Sequence, residues 1–428
     1  MSETVLKPKI AVLGLGYVGL PLACMFAGKY PVTGLDINRS RVDDLNSGLD
    51  ANSDLMPGIL KTALDNGLTC TSDINGIKDC DVYIVTVPTP VDSHNLPDLQ
   101  PLRDASAKIG QVISPGNIVI YESTVYPGTT EEECIPVIEA VSGLKFNRDF
   151  FAGYSPERVN PGEYTRPVHK ICKIVSGSTP ETADFVERLY GSVLEAPTHR
   201  APSIKVAEAA KILENTQRDV EIALINEAAK LFNALGIDTH DVIEAAATKW
   251  NFQKLHPGLV GGHCIGVDPY YLIHKAQSVG VTTRLMTEAR SVNDSMSRYV
   301  AERSALLLKT KGKPESEADV LLLGFTFKEN CRDIRNTKVI DIYNELSRRV
   351  RHVDIFDPNV DPLKAKRDYN IDIVTDDEDI SDKKYDLIIH CVCHAAFNDM
   401  TLKNYLNENG AIYDLKGKLS REIVDERL

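Results

Sequence analysis

Three glycines spaced as Gly14-Leu-Gly16-Tyr-Val-Gly19 follow the short apolar run Lys9 to Leu13 and open an apolar segment of helical character, after which comes Val32 to Asp36. This order of strand, tight turn, helix and strand constrains the N-terminal fold more than any other feature of the chain. The first glycine permits the turn, the second lets the backbone approach a pyrophosphate, and the third allows close helix packing, while the helix N-terminal amides hold phosphate. Asp36 at the end of the next strand is placed to accept hydrogen bonds from both adenosine ribose hydroxyls, and its charge repels the extra phosphate of NADP. NAD is therefore the expected cofactor. Arg39 and Arg41 lie close by in sequence, either neutralising Asp36 or simply solvated.

Further apolar runs at Val82 to Val87, Ile118 to Tyr121 and Phe150 to Gly153, with helical patterns between most of them, predict a parallel sheet covered on both faces. The stretch Ile10 to Gly28 has the length of a membrane span or signal h-region, but its glycines and proline are better explained by the nucleotide turn. From Ser203 to Leu235 there is no glycine or proline, with Pro202 just before and Gly236 just after, so a single long helix is expected. Helical sequence continues to about Lys309, Pro314-Glu-Ser-Glu-Ala reads as a surface linker, and a second α/β unit follows. Its strands are expected at Val320 to Leu323, His352 to Phe356, Leu387 to Cys391 and Ala411 to Tyr413. The fold class is α/β: two Rossmann-like doubly wound parallel-sheet domains joined by a long central helix and a helical middle domain. The boundaries are expected at residues 1–200, 201–312 and 313–428, in keeping with a 428-residue chain too long for one core.

A composition 43% hydrophobic and 25% charged fits a soluble globular protein, and a net charge of -13 argues against nucleic acid as a partner. It leaves phosphorylated small molecules open, because cationic side chains and helix N-termini can converge locally. Nine cysteines are spread without zinc-type pairs, the only close pair being Cys391 and Cys393, so reduced thiols in a cytoplasmic protein are expected, with no metal and no membrane partner.

In Gly261-Gly-His-Cys264-Ile-Gly-Val-Asp268-Pro a cysteine sits in a glycine-flanked loop, where backbone approaches a ligand closely. A lone cysteine is more often a buried small hydrophobe; beside a hydride acceptor the thiolate solves a specific problem. An aldehyde donates no hydride until a nucleophile adds to it. Addition of Cys264 gives a thiohemiacetal that can be oxidised to a thioester, and water then releases the acid, in a four-electron reaction using two NAD. The oxyanion formed on addition needs cationic or hydrogen-bonding groups. Lys211 and Asn215, four apart on the long helix and so on one face, are candidates, although a lysine picked blind is usually solvated. His263 adjoins the nucleophile, but adjacent side chains usually diverge and no role is expected for it. His94, His169 and His256 are likewise unassigned.

Taken together, Gly14 to Gly19, Pro88-Thr-Pro90, Glu122-Ser-Thr-Val125, Pro127-Gly-Thr-Thr130, Ser155-Pro-Glu-Arg158, Lys211 to Asn215, Gly261-Gly-His-Cys264 and Phe327-Lys328, in that order, resemble the UDP-glucose/GDP-mannose dehydrogenase family over essentially the whole chain. The resemblance implies Cys264 as nucleophile, Lys211 and Asn215 as oxyanion stabilisers, and Asp268 as a group holding Lys211 and a water. Thr124 and Glu157 would bind a water used in proton transfer or hydrolysis. It also implies a cofactor site including Gly14, Gly16, Tyr17, Val18, Gly19, Asp36, Arg41, Thr89 and Arg335, and a substrate site including Glu157, Arg158, Lys211, Asn215, Gly261 and Lys328. Each has a plainer reading: Glu157 and Arg158 as a surface ion pair, Thr124 as a turn hydroxyl, Asp268 as a cap before Pro269.

Gly153-Tyr-Ser-Pro-Glu-Arg-Val-Asn-Pro-Gly162, Lys249-Trp-Asn-Phe252 and His263-Cys-Ile-Gly-Val-Asp-Pro-Tyr-Tyr271 resemble the subgroup that oxidises C6 of UDP-N-acetylhexosamines for surface polysaccharides. UDP-N-acetylglucosamine or UDP-N-acetylgalactosamine is therefore favoured over UDP-glucose or UDP-N-acetylmannosamine, while the single hydroxyl separating the first two is not readable. Where the family often has a basic side chain reaching the partner subunit's substrate, this chain offers Lys254 and His256. The resemblance implies a homodimer through the long helix, whose length permits it, although a core helix within one subunit reads similarly. The competing readings are a two-electron hydroxyacid dehydrogenase, a catalytically silent nucleotide-binding regulator, and a cysteine hydrolase that would leave Asp36 and the glycine turn unexplained.

Overall fold

The apolar runs become strands in the computed structural model, which describes residues 7–51, 55–158 and 168–428. The first sheet contains β1 (Ile10–Leu13), β2 (Val32–Leu35), β3 (Thr69–Thr71), β4 (Val82–Val85), β5 (Ile118–Tyr121), β6 (Phe151–Tyr154), β7 (Lys173–Gly177) and β8 (Thr198–Arg200), in the order β3-β2-β1-β4-β5-β6-β7-β8. In β1, β4 and β5 all residues are buried, as expected of central parallel strands covered on both faces. Helix Gly19–Ala27 buries Leu20, Leu22, Ala23 and Phe26 in the same apolar cluster as Ile10 and Val12 of β1.

The expectation of a purely parallel sheet needs one correction: β6 and β7 pair antiparallel, Gly153 opposite Gly177. A parallel return requires a crossover, usually helical, whereas an antiparallel return does not, and Pro156 just after β6 disfavours a helix there.

The chain forms two compact units, Met1–Glu214 with Tyr270–Val281 and Asn215–Pro269 with Thr282–Leu428. Helix Ile204–Leu235 runs through the boundary and matches the expected uninterrupted helix. The second unit carries a five-stranded parallel sheet of β9 (Asp319–Leu323), β10 (His352–Phe356), β11 (Tyr385–His390), β12 (Leu406–Asp414) and β13 (Glu426–Arg427), in the order β10-β9-β11-β12-β13. Val320 and Leu322 enter one apolar cluster and Leu321 and Leu323 another, so the strand's alternation fills a core on each face. Among the described residues no helix is long and apolar enough to cross a membrane.

Strand order locates the ligand crevices. It reverses between β1 and β4 in the first sheet and between β9 and β11 in the second, and ligands of such sheets bind beyond the carboxyl ends of the strands at those points. Gly14 and Thr86 follow β1 and β4; Thr326 and Val392 lie just beyond β9 and β11.

Candidate active site

In the first unit the glycine turn is shaped by contact. A Cβ on Gly19 would lie 1.8 Å from the Gly14 carbonyl oxygen and 2.3 Å from Thr86 Oγ1, so no larger residue fits there. On Gly16 a Cβ would meet nothing within 4 Å, leaving the backbone face open to an approaching phosphate. Asp36 Oδ2 accepts the Leu15 N–H at 2.8 Å and Oδ1 accepts the Asn38 N–H at 2.9 Å, which anchors the carboxylate beside the turn. Arg41 is buried rather than solvated: Nη1 meets Asp50 at 2.8 Å, and Nε and Nη2 donate to the Leu15 carbonyl at 3.4 and 3.3 Å. Leu15 is thus held at its N–H by Asp36 and at its C=O by Arg41. Val18 is the N-cap of the helix, Tyr17 is partly exposed, and Thr89 is half-buried after β4. An open Gly16 and an anchored acidic group fit a bound NAD.

The same unit contains the Glu157 neighbourhood. Glu157 accepts the Arg158 backbone N–H at 2.6 Å and lies 3.7 Å from Lys173 Nζ, while the Arg158 guanidinium lies 2.8 Å from Glu214. Lys173, buried at the start of β7, also meets Glu122 at 2.7 Å, and Tyr190 donates its hydroxyl to Glu122. Burial opposes charge on Lys173, but the carboxylates of Glu122 and Glu157 outweigh it and hold the pKa above the ordinary lysine value. Thr124 is half-buried beside Ser123, whose hydroxyl donates to the Val87 carbonyl at 2.6 Å. Lys211 is only 7% exposed, unlike an ordinary surface lysine. Residues 159–162 of the substrate-type motif lie outside the described residues.

In the second unit Cys264 sits on a tightly folded loop. Gly262 has φ +78°, and a Cβ there would lie 2.7 Å from the Phe327 ring. Asn336 brackets this glycine, accepting its N–H at 3.0 Å and donating Nδ2 to its carbonyl at 2.8 Å. The N–H groups of Val267 and Asp268 donate to the Cys264 carbonyl at 3.0 and 2.8 Å. Asp268 begins helix Asp268–Ser278, and its carboxylate accepts the Asn215 side-chain amide, which brings two expected site residues together.

His263 does not diverge from its neighbour. Its Nδ1 lies 3.4 Å from Cys264 Sγ and its Nε2 lies 3.1 Å from Asp333 Oδ2. Asp333 is gripped in turn by Arg335, with Nε 3.0 Å from each carboxylate oxygen and Nη2 2.6 Å from Oδ2. Burial pushes the Asp333 carboxyl up, but the His263 and Arg335 hydrogen bonds prevail and hold it well below the usual carboxylate range. Beyond β9 and β11, Gly261, Lys328, Lys338 and Lys416 line one cleft together with Glu329, three cations against one carboxylate, a lining of net positive charge suited to a diphosphate. Lys254 pairs with Glu244 at 2.5 Å, and His256 stacks on His240 with ring centroids 5.3 Å apart.

Three family models, all of the UDP-glucose/GDP-mannose dehydrogenase family, match in succession: its NAD binding domain over residues 8–194, its central domain over 205–295 and its UDP binding domain over 321–421. The chain belongs to this family. It is 52% identical over 423 residues to a UDP-N-acetyl-D-glucosamine 6-dehydrogenase of Pseudomonas aeruginosa, covering 98% of this chain and 99% of that protein. It is 48% identical to one of Salmonella typhi, covering 98% of each. A solved UDP-D-ManNAc dehydrogenase from Pyrococcus horikoshii superposes with a TM-score of 0.88 at 31% identity, covering 98% of each chain.

Several residues of this NAD-dependent dehydrogenase escape a reading of the sequence alone. Asp333 lies in a run of charged residues and Lys173 in the apolar run Ile171 to Val175, and neither setting points to their partners, 70 and 51 residues away. His263 was legible as a neighbour, but only the turn at Gly262 directs its ring to the thiol.

Proposed function

We propose that this enzyme oxidises the C6 alcohol of a UDP-N-acetylhexosamine, UDP-N-acetylglucosamine in the first instance, to the uronic acid in two steps for surface polysaccharide synthesis. The observation that carries the substrate assignment is the near-full-length identity of 52% and 48% to two UDP-N-acetyl-D-glucosamine 6-dehydrogenases, against 35% for a UDP-N-acetyl-D-mannosamine dehydrogenase. NAD, bound at the glycine turn, supplies the hydride acceptor for each oxidation. Gly14, Gly16, Tyr17, Val18, Gly19, Asp36 and Thr89 form its site, and Arg41 serves it by fixing Leu15.

Cys264 is the nucleophile. Its addition to the aldehyde makes a tetrahedral thiohemiacetal, and the acyl group reaches the thioester level before water releases it. Lys211 and Asn215, one turn apart on the long helix, stabilise the oxyanion, and Asp268 fixes the direction of the Asn215 amide. Glu157, kept beside the Lys173 ammonium, relays protons through a water that Thr124 helps to hold. Arg158, Gly261 and Lys328 bind substrate. Arg335, bonded to Asp333, is assigned to the cofactor by the family resemblance alone.

A division into domains 1–200, 201–312 and 313–428 is supported by family matches over residues 8–194, 205–295 and 321–421. A homodimer through the long helix is supported by exposed Val206, Leu213, Leu224, Leu231 and Leu235, whose spacing places them on one helical face. A cytoplasmic location suits a nucleotide-sugar substrate and nine free cysteines.

The test is NADH formed per limiting UDP-sugar, with the N-acetylglucosamine, N-acetylgalactosamine, N-acetylmannosamine and glucose forms compared, in wild type and Cys264→Ala. Two NADH per UDP-N-acetylglucosamine, lost in the variant, is expected. One NADH, or turnover indifferent to Cys264, overturns the proposal.

A further inference from the structure

We infer that His263 is the base that takes the thiol proton of Cys264, with Asp333 as its positioning residue. Asp333 is bonded to the Arg335 guanidinium through both oxygens, so it is ionised and can only accept hydrogen bonds. His263 Nε2, 3.1 Å from Asp333 Oδ2, must therefore carry a proton. In the neutral imidazole the lone pair then lies on Nδ1, the atom 3.4 Å from Cys264 Sγ. The thiol is the donor and the imidazole the acceptor, which is the nucleophile, base and orienting-acid arrangement of a thiol activated by a histidine.

The step is a proton transfer within the protein. The S–H bond breaks with its electron pair left on sulfur, the proton forms an N–H bond at Nδ1, and a thiolate–imidazolium pair results. Asp333 favours that pair by facing the imidazolium from the other nitrogen. The Phe327 ring, 5.6 Å centroid to centroid from His263, limits how far the imidazole can swing. Among the described residues, charged groups packed around the pair include Asp333 on His263, Arg335 on Asp333, and Asp268, whose N–H donates to the Cys264 carbonyl and whose carboxylate accepts Asn215.

This base gives the addition step a thiolate at neutral pH, so the inference deepens, and rests on, the reading of Cys264 as nucleophile. Its test needs neither cofactor nor sugar. The rate of iodoacetamide alkylation of Cys264, followed by mass spectrometry of its own peptide across pH 5 to 10, reports the thiol midpoint directly. The wild type is expected to titrate at least about one pH unit below the ordinary thiol value of about 8.5. His263→Gln should return it towards that value and slow labelling at pH 7 about tenfold, and Asp333→Asn should move it in the same direction by less. If His263→Gln does not fold, Asp333→Asn alone carries the comparison. A wild-type midpoint at the ordinary value, or one unchanged in the folded variants, overturns the inference and leaves the two-NADH stoichiometry to stand or fall on its own experiment.

Discussion

Asn226 on the long helix holds the backbone of Gly258 at both ends, accepting its N–H at 2.8 Å and donating Nδ2 to its carbonyl at 3.0 Å. Asn226 is fully buried, and its Nδ2 also donates to Asn293 Oδ1 at 2.8 Å, so the amide has no slack in which to turn. Gly258 stands near the start of the loop that carries Cys264, and this pair fixes where that loop leaves the helical part of the second unit. Asn226→Leu strands two buried backbone groups, and each costs about 1 to 3 kcal/mol. Denaturant unfolding is expected to show a loss of about 2 to 6 kcal/mol. A variant as stable as wild type would mean that the loop finds other partners.

Glu208 makes the stability of the first unit depend on pH. Its side chain is buried and accepts the N–H groups of Gly128 and Thr130 at 2.6 and 2.9 Å. Burial pushes its carboxyl up to about 7, against the smaller downward pull of those two bonds. A folded-state pKa above the unfolded one means that the native state holds the proton more tightly. The resulting stabilisation is complete below about pH 4.5 and is lost as pH rises through 7, by about 3 kcal/mol in all. Urea midpoints measured from pH 4.5 to 8 should therefore fall more steeply in wild type than in Glu208→Gln. Parallel slopes would show that Glu208 is solvated when ionised.

Much of the fold is legible because buried parallel strands are short continuous apolar runs: β5 has the expected limits, and β1 and β4 begin within a residue of theirs. The strands Thr69–Thr71 and Thr198–Arg200 escape notice because they are edge strands of polar residues, whose pairing is decided by the neighbour and not by local pattern. The site divides in the same way. Asp36 is legible since its distance from the glycine turn is set by one βαβ unit, and Asn215 and Asp268 through the family motifs. The Cys264, His263 and Asp333 chain is not, because sequence shows Arg332-Asp333-Ile-Arg335 as a charged surface run and gives no sign that His263 folds back onto it.

Lys173 and Glu122 form a fully buried ion pair, and its worth can be separated from the damage of breaking it. Lys173→Met leaves Glu122 buried and without its cation, which costs about 3 to 5 kcal/mol. Adding Glu122→Gln removes the stranded charge while keeping an acceptor for the Tyr190 hydroxyl, so the double variant should regain most of that stability. Unfolding of the single and double variants side by side checks this. The double variant should still lose turnover if Lys173 also keeps Glu157 in place, and a double variant no more stable than Lys173→Met would show that packing, not charge, is at stake.

Gly16 and Gly19 belong to one motif yet should fail in different ways. A methyl group on Gly19 would lie 1.8 Å from the Gly14 carbonyl oxygen, a backbone atom that cannot move aside without opening the turn. Gly19→Ala is therefore expected to lower the melting temperature of the protein before any ligand is added. A methyl on Gly16 meets no protein atom within 4 Å, and Gly16→Ala should melt with wild type. Its methyl occupies the face that the dinucleotide's phosphates approach, so NADH affinity, read by fluorescence titration, should fall by tenfold or more, about 1.4 kcal/mol or greater. Equal melting with equal NADH affinity in Gly16→Ala would place the phosphates elsewhere and remove the reason for a glycine at that position.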